Sequence, residues 1–586
     1  MDFARRNLAL LFALSVSVLI VLSPVIESWI FIGSAYPKIP PAYGDEFLYY
    51  AQAHAVAQGY FGFGNPYLFE HATDYPLVIF GGTWISSIPL LLHLPLFLSI
   101  ELNFLVWGLI FVTLAYWLLR EIWVPKWLSA AGALFAFLQC SGLIMRMSNR
   151  QIVNPVFLLF YVALARFLIR PERFNIVLLG VATGLSFWVF SYLWQTVVIT
   201  LGMLALYALI CREWVLLRAT LASSLLGGVI GSPTLIYMFW ISHANPYFWE
   251  SIARFGLVDS HLPMAEVVYS GGWVGAMLAL LSFVYWRTPS LRRDRDFLLL
   301  CFYLALSGLG LWIMQGSNVI TGKLLETGEH IRPFIATWLI IAVVSFSSSL
   351  WIRRAHITRA MRIVYGIILG VLTLVSIYFV YAHLKAFLFE VNAPFWKTQQ
   401  LYAMPYEWLQ QNEPNPVVVW GDVHNFSTTE LPIFTRHYVL YTQPTVFHLV
   451  SNQEIRERYL VASYFDNPTV ETLKKDLAEY VGRQDAYHRA KTIERGVKVC
   501  KILFFWDADK NCGEIPTSVS LLGDQFFTDM EHKYTSDIKP NIKTYLKKYH
   551  VSYILKDIVL DPQFHPEKLG GSVVYSDNRF ELYKLP

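Results

Sequence analysis

Two adjacent carboxylates, Asp45 and Glu46, follow Gly44 and open the segment FLYYAQAHAVAQG, whose apolar residues recur at helical spacing. At the head of a helix such a pair caps free amides and suits the dipole. Held against apolar, aromatic surface, a carboxylate also binds its proton more tightly, which fits it to act as a general base toward a hydroxyl. A second set lies in FEHATDY, where Glu70, His71 and Asp74 offer the oxygen and imidazole atoms that magnesium or manganese accept. No cofactor is required by either set. Asp507, Asp509 and Asn511 imitate a calcium loop, but the glycine arrives at Gly513, one place late for the EF-hand turn. His243, Glu250, Asp259 and His261 are further polar groups whose spacing singles out none of them.

The elements that must position these residues are membrane helices. The chain has 586 residues, 55% hydrophobic and 15% charged, whereas a soluble domain carries roughly 25% charged residues. A net charge of +4 with no basic stripe excludes a nucleic-acid partner and leaves lipid. Five cysteines without a CxxC exclude a disulfide scaffold or a structural zinc site. Apolar runs over 8–32, 98–119, 127–146, 152–170, 174–190, 192–211, 215–240, 271–286, 296–314, 333–351 and 363–383 approach the length that crosses a bilayer. The expected fold is therefore a polytopic α-helical membrane protein of about eleven spans. The first span has no small-residue cleavage site and reads as a retained anchor.

Lys and Arg of short loops stay on the cytoplasmic side. Arg5 and Arg6, then Arg120/Lys126, Arg166/Arg170/Arg173, Arg212/Arg218, the Arg287–Arg295 cluster and the Arg353–Arg362 cluster all fit one topology with a cytoplasmic N-terminus. The exoplasmic loops are then 33–97, 146–151, the short aromatic turn near Trp188–Trp194, 241–270 and 315–332, together with everything after 383. Segment 76–97 is apolar but holds Pro89, Pro95 and a Gly-Gly pair, and it is expected to re-enter the outer leaflet rather than span.

Residues 1–384 thus form a transmembrane domain, and 385–586, of ordinary globular composition, form an exoplasmic α/β domain. In that domain β runs at Val417–Trp420, Tyr438–Tyr441, Lys501–Phe505 and Ser552–Leu555 alternate with helical patterns at Thr472–Val481 and Asn541–Lys548. A hairpin is expected to turn at Ser576-Asp577-Asn578. On an oxidising side, Cys500 and Cys512 can pair around an expected strand and turn, while Cys140, Cys211 and Cys301 stay reduced.

The order of these features, with the motifs GDEFLYYAQA, GEHIRPF and YEWLQQNEPNPVVVWGD, resembles the GT-C superfamily of membrane glycosyltransferases. It is most similar to the bacterial relatives of protein O-mannosyltransferases and aminoarabinose transferases. The chain lacks a Lys-Pro-Pro motif after the first loop, having Asp74-Tyr75-Pro76-Leu77, and lacks the Trp-Trp-Asp signature of oligosaccharyltransferases. The resemblance implies a transferase of the bacterial inner membrane and cell envelope that takes one sugar from a polyprenyl-phosphate carrier. The catalytic base would be Asp45, with Glu46 beside it, and the acceptor a lipid, a glycan or a protein.

Inverting transfer also needs cations for the departing phosphate. Arg332 stands first, immediately before Pro333 at the start of a span, with His330 and Lys323 in the same loop and Arg146 and Arg150 in a shorter turn. Tyr49, Tyr50, Tyr247 and Trp249 are candidate contacts for sugar or lipid. Two other readings remain open: a lipid or glycan transporter or flippase, and a catalytically silent scaffold of this fold. Transporter sites lie near the midplane on broken helices, whereas these acidic residues sit in outer loops.

Overall fold

The fold is that of a computed structural model describing residues 7–33, 39, 46–62, 64–144, 146–147, 149–324, 327–354, 357–367, 370–371, 374, 378, 389–425, 427–507 and 510–586. Arg5, Arg6, Asp45, Asp509 and most of the expected span 363–383 lie outside the described residues.

The chain is a polytopic helical membrane protein with a C-terminal α/β domain. Its long helices are α1 (Leu8–Ile32), α5 (Leu96–Glu121), α6 (Lys126–Ile144), α7 (Asn149–Ile169), α8 (Arg173–Val189), α9 (Ser191–Ile210), α10 (Trp214–Ala244), α12 (Ala265–Arg287), α13 (Arg295–Gln315) and α14 (Thr327–Ile352). Seven helices among the described residues are long and apolar enough to cross a membrane. A helix is the form such runs must take, because hydrocarbon offers no partner for an unpaired amide or carbonyl. Small residues set the closest packing. A Cβ on Gly184 of α8 would stand 2.5 Å from Ile230 of α10, and one on Gly227 would stand 2.6 Å from Thr183, so these backbones approach as small-xxx-small pairs do.

Between the long helices come α2 (Glu46–Ala57), the short α3 (Gly81–Ser86) and α4 (Ile88–Leu91), and α11 (Phe248–Arg254). Residues 76–97 do not form one span: α3 and α4 break where Ser87 precedes Ile88-Pro89. The α2 helix buries Phe47, Tyr50 and Ala51 in the same apolar core as Tyr402, Trp420 and Tyr459 of the C-terminal domain. That core therefore takes in part of the first loop as well as residues beyond 385.

The α/β domain holds a five-stranded sheet of β1 (Val418–Trp420), β2 (Tyr438–Val439), β3 (Val551–Asp557), β4 (Ser572–Ser576) and β5 (Phe580–Lys584), in the order β2-β1-β3-β5-β4. The β2, β1 and β3 strands are parallel, and β5 is antiparallel to both β3 and β4. The β4–β5 turn is held by Asp577, whose Oδ1 accepts from the amides of Arg579 and Phe580 at 2.7 Å each. Lys501–Phe505 is not a strand. It ends α15 (Arg483–Leu503), because a short apolar run fits either period and here continues an amphipathic helix. The Cys500–Cys512 disulfide is present.

Candidate functional site

The α/β domain sits on the ends of the membrane helices opposite the arginine clusters. Arg254 of α11, 1% exposed, fastens it, donating to the carbonyls of Val446 at 2.7 Å, His448 at 2.8 Å and Val450 at 2.7 Å. Ser251 Oγ adds a bond to the His448 carbonyl at 2.8 Å. These bonds fix segment 446–450 above the membrane helices, and a cavity of about 1090 Å³, its open mouth included, lies at the junction. Its walls come from α2 and the first loop (Leu48, Tyr49, Gln52, Val78), from the α8–α9 turn (Phe190, Tyr192), from α14 (His330) and from the domain (Phe447, His448).

Behind one wall, Arg150 is 6% exposed. Its guanidinium carbon lies 4.7 Å from the Phe190 ring centroid and 5.3 Å from that of Phe334, a desolvated cation–π arrangement. The guanidinium donates to the His330 carbonyl at 3.2 Å and to His330 Nδ1 at 2.9 Å. Because arginine has no lone pair to offer, Nδ1 must accept, and the ring proton sits on Nε2. The ring itself stacks on Tyr192 with centroids 4.7 Å apart. His330 is thus oriented from both sides.

His448 is arranged in the opposite sense. Its Nδ1 bonds to the Pro444 carbonyl at 3.1 Å, so that nitrogen carries the proton. Its Nε2 is buried with no hydrogen-bond partner among the described residues, as is Gln52 Oε1. Burial, reinforced by the charge of Arg254, lowers the His448 pKa to about 4 against the pull of the Pro444 carbonyl. The cavity therefore offers a mostly apolar surface with two neutral imidazoles and one amide. Nothing in TVFHLV or in AQAH marks His448 or Gln52 as special. Only their meeting across the junction does.

The described member of the acidic pair, Glu46, is 5% exposed, and its Oε1 lies 3.5 Å from Arg146 Nε. Tyr49, one turn along α2, lines the cavity. Arg146, Arg150, His330 and Tyr49 are thus gathered around the junction, whereas other expected site residues are not. Arg332 is exposed and does not line the cavity; two residues along a helix turn a side chain to another face. Lys323 pairs with Asp259 at 2.6 Å, both side chains exposed, in a two-residue ladder whose other residues, Val258 and Leu324, are buried. Tyr50 is 3% exposed and belongs to the domain core. Tyr247 and Trp249, 38% and 63% exposed, flank the start of α11 away from the cavity lining.

Glu70, His71 and Asp74 do not fit a metal. His71 Nδ1 lies 2.6 Å from Asp74 and Nε2 lies 3.1 Å from Glu454, while Glu70 pairs with Arg458 at 2.6 Å. Burial works against the charged ring, but the Asp74 and Glu454 carboxylates prevail and raise its pKa to about 9. An imidazolium has no lone pair for a cation. The set is a dock between the first loop and the domain. Asp422, His424 and Asp466 bring ligand atoms within 4.8 Å of one another. Gln563 Nε2 already bridges Asp422 and Asp466 at 2.9 Å each, and none of these residues lines the cavity.

Fold and site define a class: an integral membrane protein whose helical bundle carries an α/β domain over a shared, largely apolar cavity. No protein-family model matches the chain, and no curated protein matches it in sequence. Among solved structures, the chain is similar to the crystal structure of ArnT from Cupriavidus metallidurans bound to undecaprenyl phosphate. The likeness has a TM-score of 0.39 and 12% identity, and covers 97% of this chain and 98% of that one.

Proposed function

We propose that the chain is an inverting glycosyltransferase that moves a single sugar from a polyprenyl-phosphate carrier to an acceptor on the face bearing the α/β domain. The observation that carries this reading is the junction cavity. Its apolar walls suit a prenyl chain at the level where the helices end, and its few polar groups converge where the chain resembles GT-C enzymes at GDEFLYYAQA and GEHIRPF. Asp45 takes the proton of the acceptor hydroxyl, the oxygen attacks the anomeric carbon, and the bond to phosphate breaks with the electron pair leaving on the carrier. Charge grows on that phosphate in the transition state. Arg146 is the guanidinium beside Glu46, and Arg150 acts as a positioning residue behind His330. The face bearing the domain is the exoplasmic one, and the membrane is the bacterial inner membrane.

The test is to incubate the purified chain with a panel of polyprenyl-phosphate sugars, with and without lipid and glycan acceptors. Release of carrier phosphate with inversion at the anomeric carbon is the expected result. Absence of transfer and of hydrolysis across the panel, in protein that binds none of the carriers, would refute the reading.

A further inference from the structure

The α15 helix does not stop at the core of its domain. It runs along the loop that leads into span α12 and is fastened there: Arg495 Nη1 donates to the Pro263 carbonyl at 2.8 Å, with Glu266 as a neighbouring charge, and Leu262 stands 3.5 Å from the Cβ direction of Gly496. Glu266 is the first residue of the candidate membrane span Glu266–Arg287 of α12. Position 495 is therefore held at the end of a membrane helix. Leu503 lies eight residues further on, which at 1.5 Å per residue keeps the end of α15 within roughly 12 Å of that attachment.

What the helix carries to that place is apolar. Ile502 is 71% exposed, Phe505 80% and Trp506 70%, with Leu503 exposed beside them, a contiguous patch that a water-facing surface rarely keeps. Lys501 and Lys510 flank it, both exposed, with the exposed Asp507 directly after Trp506, while Lys498 is paired with Glu494 at 2.5 Å. Lys510 Nζ stands 4.9 Å from the Phe504 ring. Aromatic tips flanked by lysines suit the membrane interface, where stems lie among acyl chains and ammonium groups reach phosphates. The Cys500–Cys512 disulfide closes the loop that presents them, so less chain entropy is lost when the tip is immobilised.

We propose that the tip Ile502–Trp506 inserts into the headgroup layer of the membrane in which the chain's own helices lie, beside α12, and that this second attachment holds the α/β domain against the helical bundle. The occupant is phospholipid, favoured by the attachment of α15 at the end of α12 and by the exposed aromatic residues flanked by Lys501 and Lys510. This inference does not depend on the catalytic reading.

The test uses the full chain in nanodiscs of phosphatidylcholine and phosphatidylglycerol, with p-benzoylphenylalanine in place of Phe505 and, as control, in place of Val573, which is 51% exposed on β4. Both replacements are at exposed positions, so folding is preserved. After illumination, intact-mass spectra are expected to show phospholipid adducts at position 505 at least about fivefold above position 573. The variant K501E/K510E should reduce the adduct yield at 505 by about half or more in the anionic discs. Equal adduct yields at the two positions would overturn the proposal. So would crosslinks from 505 that go to a second copy of the chain, seen as a dimer on a denaturing gel.

Discussion

Arg458→Met is the sharpest probe of the dock between the first loop and the α/β domain. The Arg458 side chain is 1% exposed and pairs with Glu70 Oε2 at 2.6 Å and Glu454 Oε1 at 2.8 Å, whose side chains are each 26% exposed. It also donates to the Leu440 carbonyl at 3.2 Å and lies 4.0 Å from the Tyr549 ring centroid. Methionine keeps most of the volume and removes the charge. Breaking a fully buried pair costs about 3–5 kcal/mol, and the partial exposure of both carboxylates screens part of that, leaving about 2–3 kcal/mol. Amide exchange in 64–78 and 452–460, measured by mass spectrometry in detergent, should then quicken by about 30- to 150-fold while α7 and α14 are unaffected. Unchanged protection in those two segments would refute the reasoning.

The dock also has a pH signature. His71 is raised to about 9 from 6.5, so its contribution is complete below the unfolded value and is lost as pH rises through about 9. Glu454 is the reverse: burial favours its neutral form, yet His71 and Arg458 bring it down to about 2 from 4.5. Its contribution is complete above about 4.5 and is lost as pH falls through about 2. Protection of 64–78, corrected for intrinsic exchange, should therefore weaken between pH 6.5 and 9 in the parent chain and show no such decline in His71→Asn.

Other changes separate chemistry from packing. Asp45→Asn should abolish transfer with melting and carrier binding retained, since the amide keeps a capping oxygen but takes no proton; near-normal turnover would leave the pair a cap. Gln52→Leu sacrifices no hydrogen bond of Oε1 among the described residues, so stability should hold within about 1 kcal/mol while carrier affinity falls, as read by direct binding. Arg150→Lys loses the bond to His330 Nδ1 and should lower kcat more than it raises KM, whereas Arg332→Ala should do neither, as steady-state kinetics would show. Alkylation of the folded chain should reach Cys211 and spare Cys140, which is 1% exposed.

Hydropathy by itself determined the membrane helices, because in hydrocarbon a backbone has no solution but to satisfy its own amides, and twenty apolar residues leave little else to decide. It also determined the β4–β5 hairpin, since Asp577 makes its turn with atoms two and three residues away. Where the local pattern was ambiguous the reading failed. Residues 501–505 are apolar enough for a strand, but 501–503 continue α15, which Arg495 fastens to Pro263, and 504–505 turn away from it. The candidate site was half legible for the same reason. The acidic pair and the paired loop arginines stand in recognisable strings, but the cavity joins Gln52, Tyr192, His330 and His448, residues hundreds of positions apart that no spacing relates. Tertiary structure likewise decided that Glu70 holds Arg458 and that His71, braced by Asp74, holds Glu454 rather than a cation, because charged groups find the nearest opposite charge in space, and those partners come from a domain nearly four hundred residues away.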